Sequence, residues 1–420
     1  MRTLRSVRSF PLPLRLLLVN QFGVNTGFYL LVPYLATHLG QDLGLSAVAV
    51  GVVLGARNLS QQGLFLIGGS AADRLGARGV IIAGCGLRTV GFALFALGDG
   101  IAVLIAASVL SGLAGALFNP AVRTYVAQEA GARRAEAFAL FNVFATAGAL
   151  AGPLLGSALL LVDFRAAALT AAGIFALLTA AQAVALPGRP ARPTPTPVLG
   201  DWREAVTDRR FLAFSLALVG LYVLESQLYL LLPDAARRAT GWEGAASVLF
   251  LTSTLANLAL QLRITRRLQR TGNRGRWIAV GTLSTGLAFL LPLAADGLPV
   301  LLLTVLGLQL GRMVAGPFVL ELIPAFGRGE LTGTYYGVFH MVSGLAAALG
   351  NAAVGWAMEH ARWSAWLLCA ALGLLCAAAV ALLQRAALLP APGTGPAATA
   401  TGTGTAPGPG PGPGEPSTVR

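Results

Sequence analysis

Apolar residues run in stretches of about twenty along most of this chain, separated by short polar turns rich in Arg, Gly and Pro. A stretch of that length crosses the hydrocarbon core of a bilayer as one helix, because about 20 residues at 1.5 Å rise span about 30 Å. The pattern predicts spans at 14–37, 46–70, 79–97, 101–122, 137–161 and 165–186, then at 211–233, 244–263, 277–295, 298–322, 332–357 and 363–384. A membrane barrel would show short alternating segments instead. The unbroken run from Ile101 to Leu117 excludes it.

The pattern breaks at 187–210, where Pro187, Pro190, Pro193, Pro195 and Pro197 favour an extended stretch and Asp201 to Arg210 predicts a short surface helix. The expected organisation is therefore a six-helix bundle at 1–186, a linker at 187–210, a second bundle at 211–389 and a tail at 390–420. The Pro-, Gly-, Thr- and Ala-rich tail cannot bury a core and is expected to be disordered. The predicted fold class is an all-α integral membrane protein of twelve transmembrane helices in two pseudo-symmetric six-helix bundles.

Composition agrees with lipid as the solvent. Of 420 residues 55% are hydrophobic and 11% charged, against about 25% charged in soluble domains. All 30 basic residues are arginine, and the net charge is +13. On a soluble face such charge would suggest nucleic acid; here it sits in short loops and reports topology. With the N-terminus inside, 23 arginines fall on the cytoplasmic side and 4 (Arg165, Arg237, Arg238, Arg362) outside, leaving Arg57, Arg88 and Arg312 in the membrane. Both termini and the linker are thus expected in the cytoplasm. Arg2, Arg5, Arg8 and Arg15 mimic the start of a signal peptide, but the apolar stretch runs past Tyr34 without an Ala-x-Ala cleavage site, so it reads as a retained first span. Cys85, Cys369 and Cys376 form no ligand cluster and read as small buried residues. No cofactor and no metal are expected.

The two halves echo one another. Phe118-Asn119-Pro120, then Arg133-Arg134, then a Gly-rich span, parallels Ala315-Gly316-Pro317, then Arg328, then a second Gly-rich span. Two repeats around a shared pathway are a transporter architecture, with the substrate between the repeats.

Residues 69–78 between spans two and three read Gly-Ser-Ala-Ala-Asp-Arg-Leu-Gly-Ala-Arg. Gly69 and Gly76 permit a close approach and a tight turn, and Asp73 can accept from helix-start amides or pair with Arg78. Gly69, Asp73, Arg74, Gly76 and Arg78 match the signature loop of the major facilitator superfamily, which this chain resembles. In the fifth span Gly148, Gly152 and Gly156 lie four apart on one face, and Pro153 removes a helix hydrogen bond. This resembles the motif of the drug:proton antiporter branch. Leu54 to Leu64, Leu110 to Pro120 and Asp163-Phe164-Arg165 resemble bacterial multidrug-resistance exporters of that superfamily. One departure is Ser108, four residues before Gly112, where many of these antiporters carry an arginine.

The resemblance implies a cavity lined by spans one, four, seven and ten, and a motif loop that docks near Thr332 as a conformational gate. It also implies residence in the cytoplasmic membrane of a bacterium, as a monomer, with a small-molecule substrate and protons as partners. Charges deep in lipid are costly and usually face a cavity or a partner. Glu225, the one acid at that depth, and Arg312 are the first candidates for proton coupling or substrate binding. They are either a working carboxylate beside an arginine or a static ion pair. Asn20, Asn25, Tyr29, Asn119, Tyr222, Gln227, Gln309 and Met313 are further candidates, open to the plainer reading of interhelical contacts. Arg57 and Arg88 read as structural donors to carbonyls, His340 as a satisfied core histidine and Glu321 as a solvated cap. The sequence carries no catalytic constellation and no P-loop. Proton-coupled export of small amphipathic compounds is the leading expectation, with transport of a defined metabolite such as a sugar or siderophore as the alternative, and a membrane enzyme far behind.

Overall fold

The computed structural model describes residues 7–188, 196–242 and 244–390, and these are helical with short connections. The tail expected to be disordered lies outside the described residues from 391 onward, as do Pro190, Pro193 and Pro195. Among the described residues, ten stretches are long and apolar enough to cross a membrane. One of them, Ile101–Leu160, contains two helices joined at Gly131–Arg133. The passage Ala47–Leu75 adds the twelfth; Arg57, Asp73 and Arg74 dilute its apolar character.

Packing repeats with a period of six spans. The first span packs on the fifth as the seventh packs on the eleventh; three pairs with four as nine with ten, three with six as nine with twelve, and two with four as eight with ten. Two alike six-helix halves result, and they meet mainly through spans two and eleven and through spans five and eight. Exchanging the halves turns one of these interfaces into the other, so the junction shares the pseudo-symmetry.

Four elements differ from the sequence reading. The second span is two helices, Ala47–Gly63 and Phe65–Leu75, and the second carries most of the 69–78 motif; only Gly76 leaves helical geometry, with φ of 87°. Hydrophobicity fades here although the helix does not, because its polar groups face protein. The fourth span is one helix from Ile101 to Ala130, so Arg123 lies within it and not in a loop. The eighth runs Ala245–Gln269 and takes in Arg263, Arg266 and Arg267. The seventh is three helices, Arg209–Ala217, Val219–Ser226 and Leu231–Thr240.

The last of these breaks has a local cause. Ser226 Oγ and Gln227 Nε2 both donate to the Val223 carbonyl, at 2.6 and 2.8 Å. Side chains that occupy a helical carbonyl compete with the backbone ladder. From Gln227 to Leu230 the amides bond three residues back, to Leu224, Glu225, Ser226 and Gln227. The tightened turn begins at Gln227, two residues after Glu225.

The linker helix is Val198–Thr207. It is not a plain surface element: Asp201 is 1% exposed.

Candidate functional site: a charged cavity between the halves

The arginine-rich ends of the two halves are locked together. Gly69 and Gly333 pack backbone on backbone, each where a Cβ would collide with the other's carbonyl oxygen. That approach brings Asp73, 9% exposed, onto the start of the eleventh span. Its carboxylate accepts from Gly333 N–H at 2.7 Å, from Thr334 N–H at 2.7 Å and from Thr334 Oγ1 at 2.8 Å. Free amides and the positive end of the helix dipole make a helix N-terminus a natural seat for an anion. Asp73 uses this seat and does not pair with Arg78, which donates to the Ala183 carbonyl at 2.6 Å.

Arg74 turns the other way. It bonds Asp201 of the linker helix and the Thr196 carbonyl, both at 2.5 Å. Asp201 also accepts from Thr196 Oγ1 and lies 3.9 Å from Arg328, which pairs with Glu204 at 2.5 Å. The Glu204 hydrogen bond holds the exposed Arg328 guanidinium above its usual range. Trp202 Nε1 donates to Ser70 Oγ at 2.6 Å. The linker helix thus straps the second span to the loop before the eleventh. On the other interface Glu136 of the fifth span accepts from Arg133 at 2.9 Å and from Arg266 of the eighth at 2.6 Å.

Beyond these locks lies a cavity of about 390 Å³. Gln61, Gln62 and Phe65 of the second span, Asn119 and Arg123 of the fourth and Asn142 of the fifth form one wall. Tyr222, Glu225, Ser226 and Tyr229 of the seventh, Arg312 of the tenth, and His340 and Ser343 of the eleventh form the other. Glu225 Oε1 and Arg312 Nη1 stand 2.8 Å apart, with side chains 30% and 36% exposed. The pair is reachable from the cavity and is not sealed in the bundle.

Of the sequence candidates, Glu225, Arg312, Asn119 and Tyr222 line the cavity. Four others do not. Gln227 is fully buried and ties the seventh span to Asn351 of the eleventh at 2.9 Å. Gln309 donates to the Ser253 carbonyl at 3.3 Å. Asn25 donates to the Ala145 carbonyl at 2.8 Å, and Asn20 accepts from Gln182 inside the first half. Met313 is fully buried. Tyr29 lies against Phe28, within electrostatic reach of Glu225, Arg312 and Arg57. The first span therefore stands behind the wall, and spans two, five and eleven share the lining.

Three further readings change. Arg57 donates to Asn58 and Gln61 side chains and lies over the Phe28 ring, while Arg88 is enclosed by the Phe118 and Phe175 rings. Neither is the carbonyl lock expected. His340 Nε2 has no hydrogen-bond partner among the described residues and is not a satisfied core histidine. Glu321 is not a solvated cap; it pairs with Arg274 at 3.2 Å, with both side chains largely covered. Arg123, Gln61, Gln62, Asn142 and Tyr229 were missed. For Arg123 the signal was present: an arginine three residues after a helix proline, in a stretch with no turn residue until Gly131.

Gly148, Gly152 and Gly156 receive the backbone of the first span. A Cβ at Gly152 would fall 2.8 Å from the Thr26 oxygen, and those at Gly148 and Gly156 would meet the Phe22 and Leu30 carbonyls. The Pro153 carbonyl accepts from Tyr34 Oη at 2.9 Å. Ser108 is fully buried beside Val109, whose carbonyl accepts from Ser60 at 3.0 Å.

Two like halves of six helices with a polar cavity between them have the architecture of a membrane transporter. A sequence model of the Major Facilitator Superfamily matches residues 17–351. The chain belongs to that superfamily. It is 42% identical over 369 residues to an uncharacterized MFS-type transporter of Mycobacterium tuberculosis, covering 84% of this chain and 88% of the relative. It is 31% identical to the multidrug resistance protein MdtH of Proteus mirabilis, over 81% of this chain and 85% of that one. For MdtH of Cronobacter sakazakii the identity is 32%, over 82% and 86%. Among solved structures, the fucose:proton symporter FucP of E. coli superposes with a TM-score of 0.76 at 14% identity, covering 89% of this chain and 99% of FucP. The human organic anion transporter MFSD10 gives 0.71 at 19%, covering 88% and 98%. Both show the fold alone.

Proposed function

We propose that this protein exports small amphipathic compounds across the cytoplasmic membrane of a bacterium by proton antiport, with residues 1–186 and 211–389 rocking about the cavity as a monomer. The observation that carries the reading is the Glu225–Arg312 pair, reachable from the cavity at the base of a tightened turn. The MdtH relatives supply the drug-like substrate class.

With the arginine-rich face in the cytoplasm, the locked end is the inner one and the cavity serves the outside. A proton arriving from outside neutralises Glu225, dissolves the ion pair and removes the negative site that held a basic group of the substrate. Substrate leaves. After the halves rock, the wetted cavity gives the proton to the cytoplasm and the carboxylate is restored. Export and proton entry then share one oxygen pair and cannot both occupy it.

Glu225→Gln keeps the side chain's shape and removes its titration. In proteoliposomes with an imposed pH gradient the variant should lose uphill export of a lipophilic dye and retain downhill exchange. A variant that still concentrates dye against its gradient would make the carboxylate structural.

A further inference from the structure

The cavity holds a charge that the coupling step does not use. Arg123 lies within the fourth span, where an uncompensated charge is costly. Its Nη1 donates to the Asn119 carbonyl at 2.9 Å, one turn back on its own helix. Its Nε is buried and has no hydrogen-bond partner among the described residues, and none of the described carboxylates pairs with it. Of the three formal charges on the cavity wall, Glu225 and Arg312 cancel and Arg123 is left over. Tyr222 lies within electrostatic reach of all three. A guanidinium is a fork of five donors suited to a carboxylate, and Arg123 commits one of them to a neutral carbonyl.

We infer that Arg123 is the anchor for an anionic group of the substrate, so that the favoured cargo is zwitterionic: a carboxylate on Arg123 and a basic group toward Glu225. This rests on the cavity being the transport site. The combination follows from the antiport cycle. A purely anionic cargo would bind best when Glu225 is protonated, which would make proton and cargo travel together. A purely cationic cargo would compete with the proton but leave the Arg123 charge unmet. A zwitterion meets both, and a cavity of about 390 Å³ falls within the usual size of small-molecule sites. Asn119, Asn142 and Gln62 stand on the same wall as neutral polar partners.

The test uses the full-length protein in proteoliposomes with an imposed pH gradient, and two dyes that differ at one group. Rhodamine B carries a carboxylate and a delocalised cation; its ethyl ester keeps only the cation. Wild-type protein should favour rhodamine B by about tenfold in kcat/KM, the scale of one charge-assisted contact. Arg123→Gln should erase the preference through KM for rhodamine B, and Arg123→Lys should restore part of it. The wild-type ratio needs no variant, so poor folding of Arg123→Gln does not shelter the inference. Equal rates for the two dyes in the wild type, or a preference that survives Arg123→Gln, would overturn the anchor while leaving the exporter reading intact. If neither dye moves under the gradient, the exporter reading falls and the anchor with it.

Discussion

Thr334 gives Asp73 two hydrogen bonds, one from its backbone N–H at 2.7 Å and one from its hydroxyl at 2.8 Å. The two residues lie 261 positions apart in the chain, and with Gly333 they form a buried seal between the halves. Hydrogen bonds to a charged group contribute about 1.5–3 kcal/mol each in favourable settings. We propose that this contact holds its end of the transporter closed and releases in each cycle.

Asp73→Asn replaces the anion with a neutral amide that can accept through one oxygen only. The protein should fold, elute as wild type and lose most of its dye transport. A cysteine placed at Ser70 should react faster with a water-soluble maleimide in the variant than in its parent. Unchanged flux and unchanged labelling would remove this contact from the cycle.

The strap makes a separate prediction. Asp201 is buried between Arg74, Thr196 and Arg328, and removing one partner of a covered ion pair usually costs more than the pair itself contributes. Asp201→Asn should release the linker helix, raising hydrogen exchange at residues 198–207 by about tenfold or more. Amides in the first span should be unaffected. Exchange that rises equally everywhere would show global destabilisation and no strap.

For the fifth span the contrast lies between neighbours. Gly152→Leu places a side chain where the first span's backbone already sits, with overpacking costs of about 1–3 kcal/mol or more. Ala151→Leu changes a position that is only half buried. The first should lower the thermal midpoint in detergent and the transport rate well below the second. Equal effects would mean that the glycine face is not the contact that matters.

Topology can be read with single cysteines. Cys85, Cys369 and Cys376 are buried, so background labelling should be low. Cysteines at Ser9 and Thr207 should be protected from an impermeant maleimide added to intact cells, and one at Asp163 should react. Labelling at Thr207 from outside would invert the proton cycle proposed above.

Much of this protein is fixed by one-dimensional chemistry. Length of apolar run, placement of arginine and the break at Pro187 determine a twelve-span membrane chain in two halves, because the bilayer imposes one thickness and one rule for backbone polar groups on every span. The 69–78 motif was legible for a similar reason: it needs fixed residues at fixed spacing. What the tertiary structure alone decided is which polar side chains share a space. Gln227 and Gln309 read like cavity residues but turn inward to tie helices, while Arg123 reads like a loop charge and faces the cavity. Hydrophobicity cannot separate these cases. A polar group satisfied by a neighbouring helix and one left for a ligand look alike in sequence, and only the rotation of each helix and the partner across from it tells them apart.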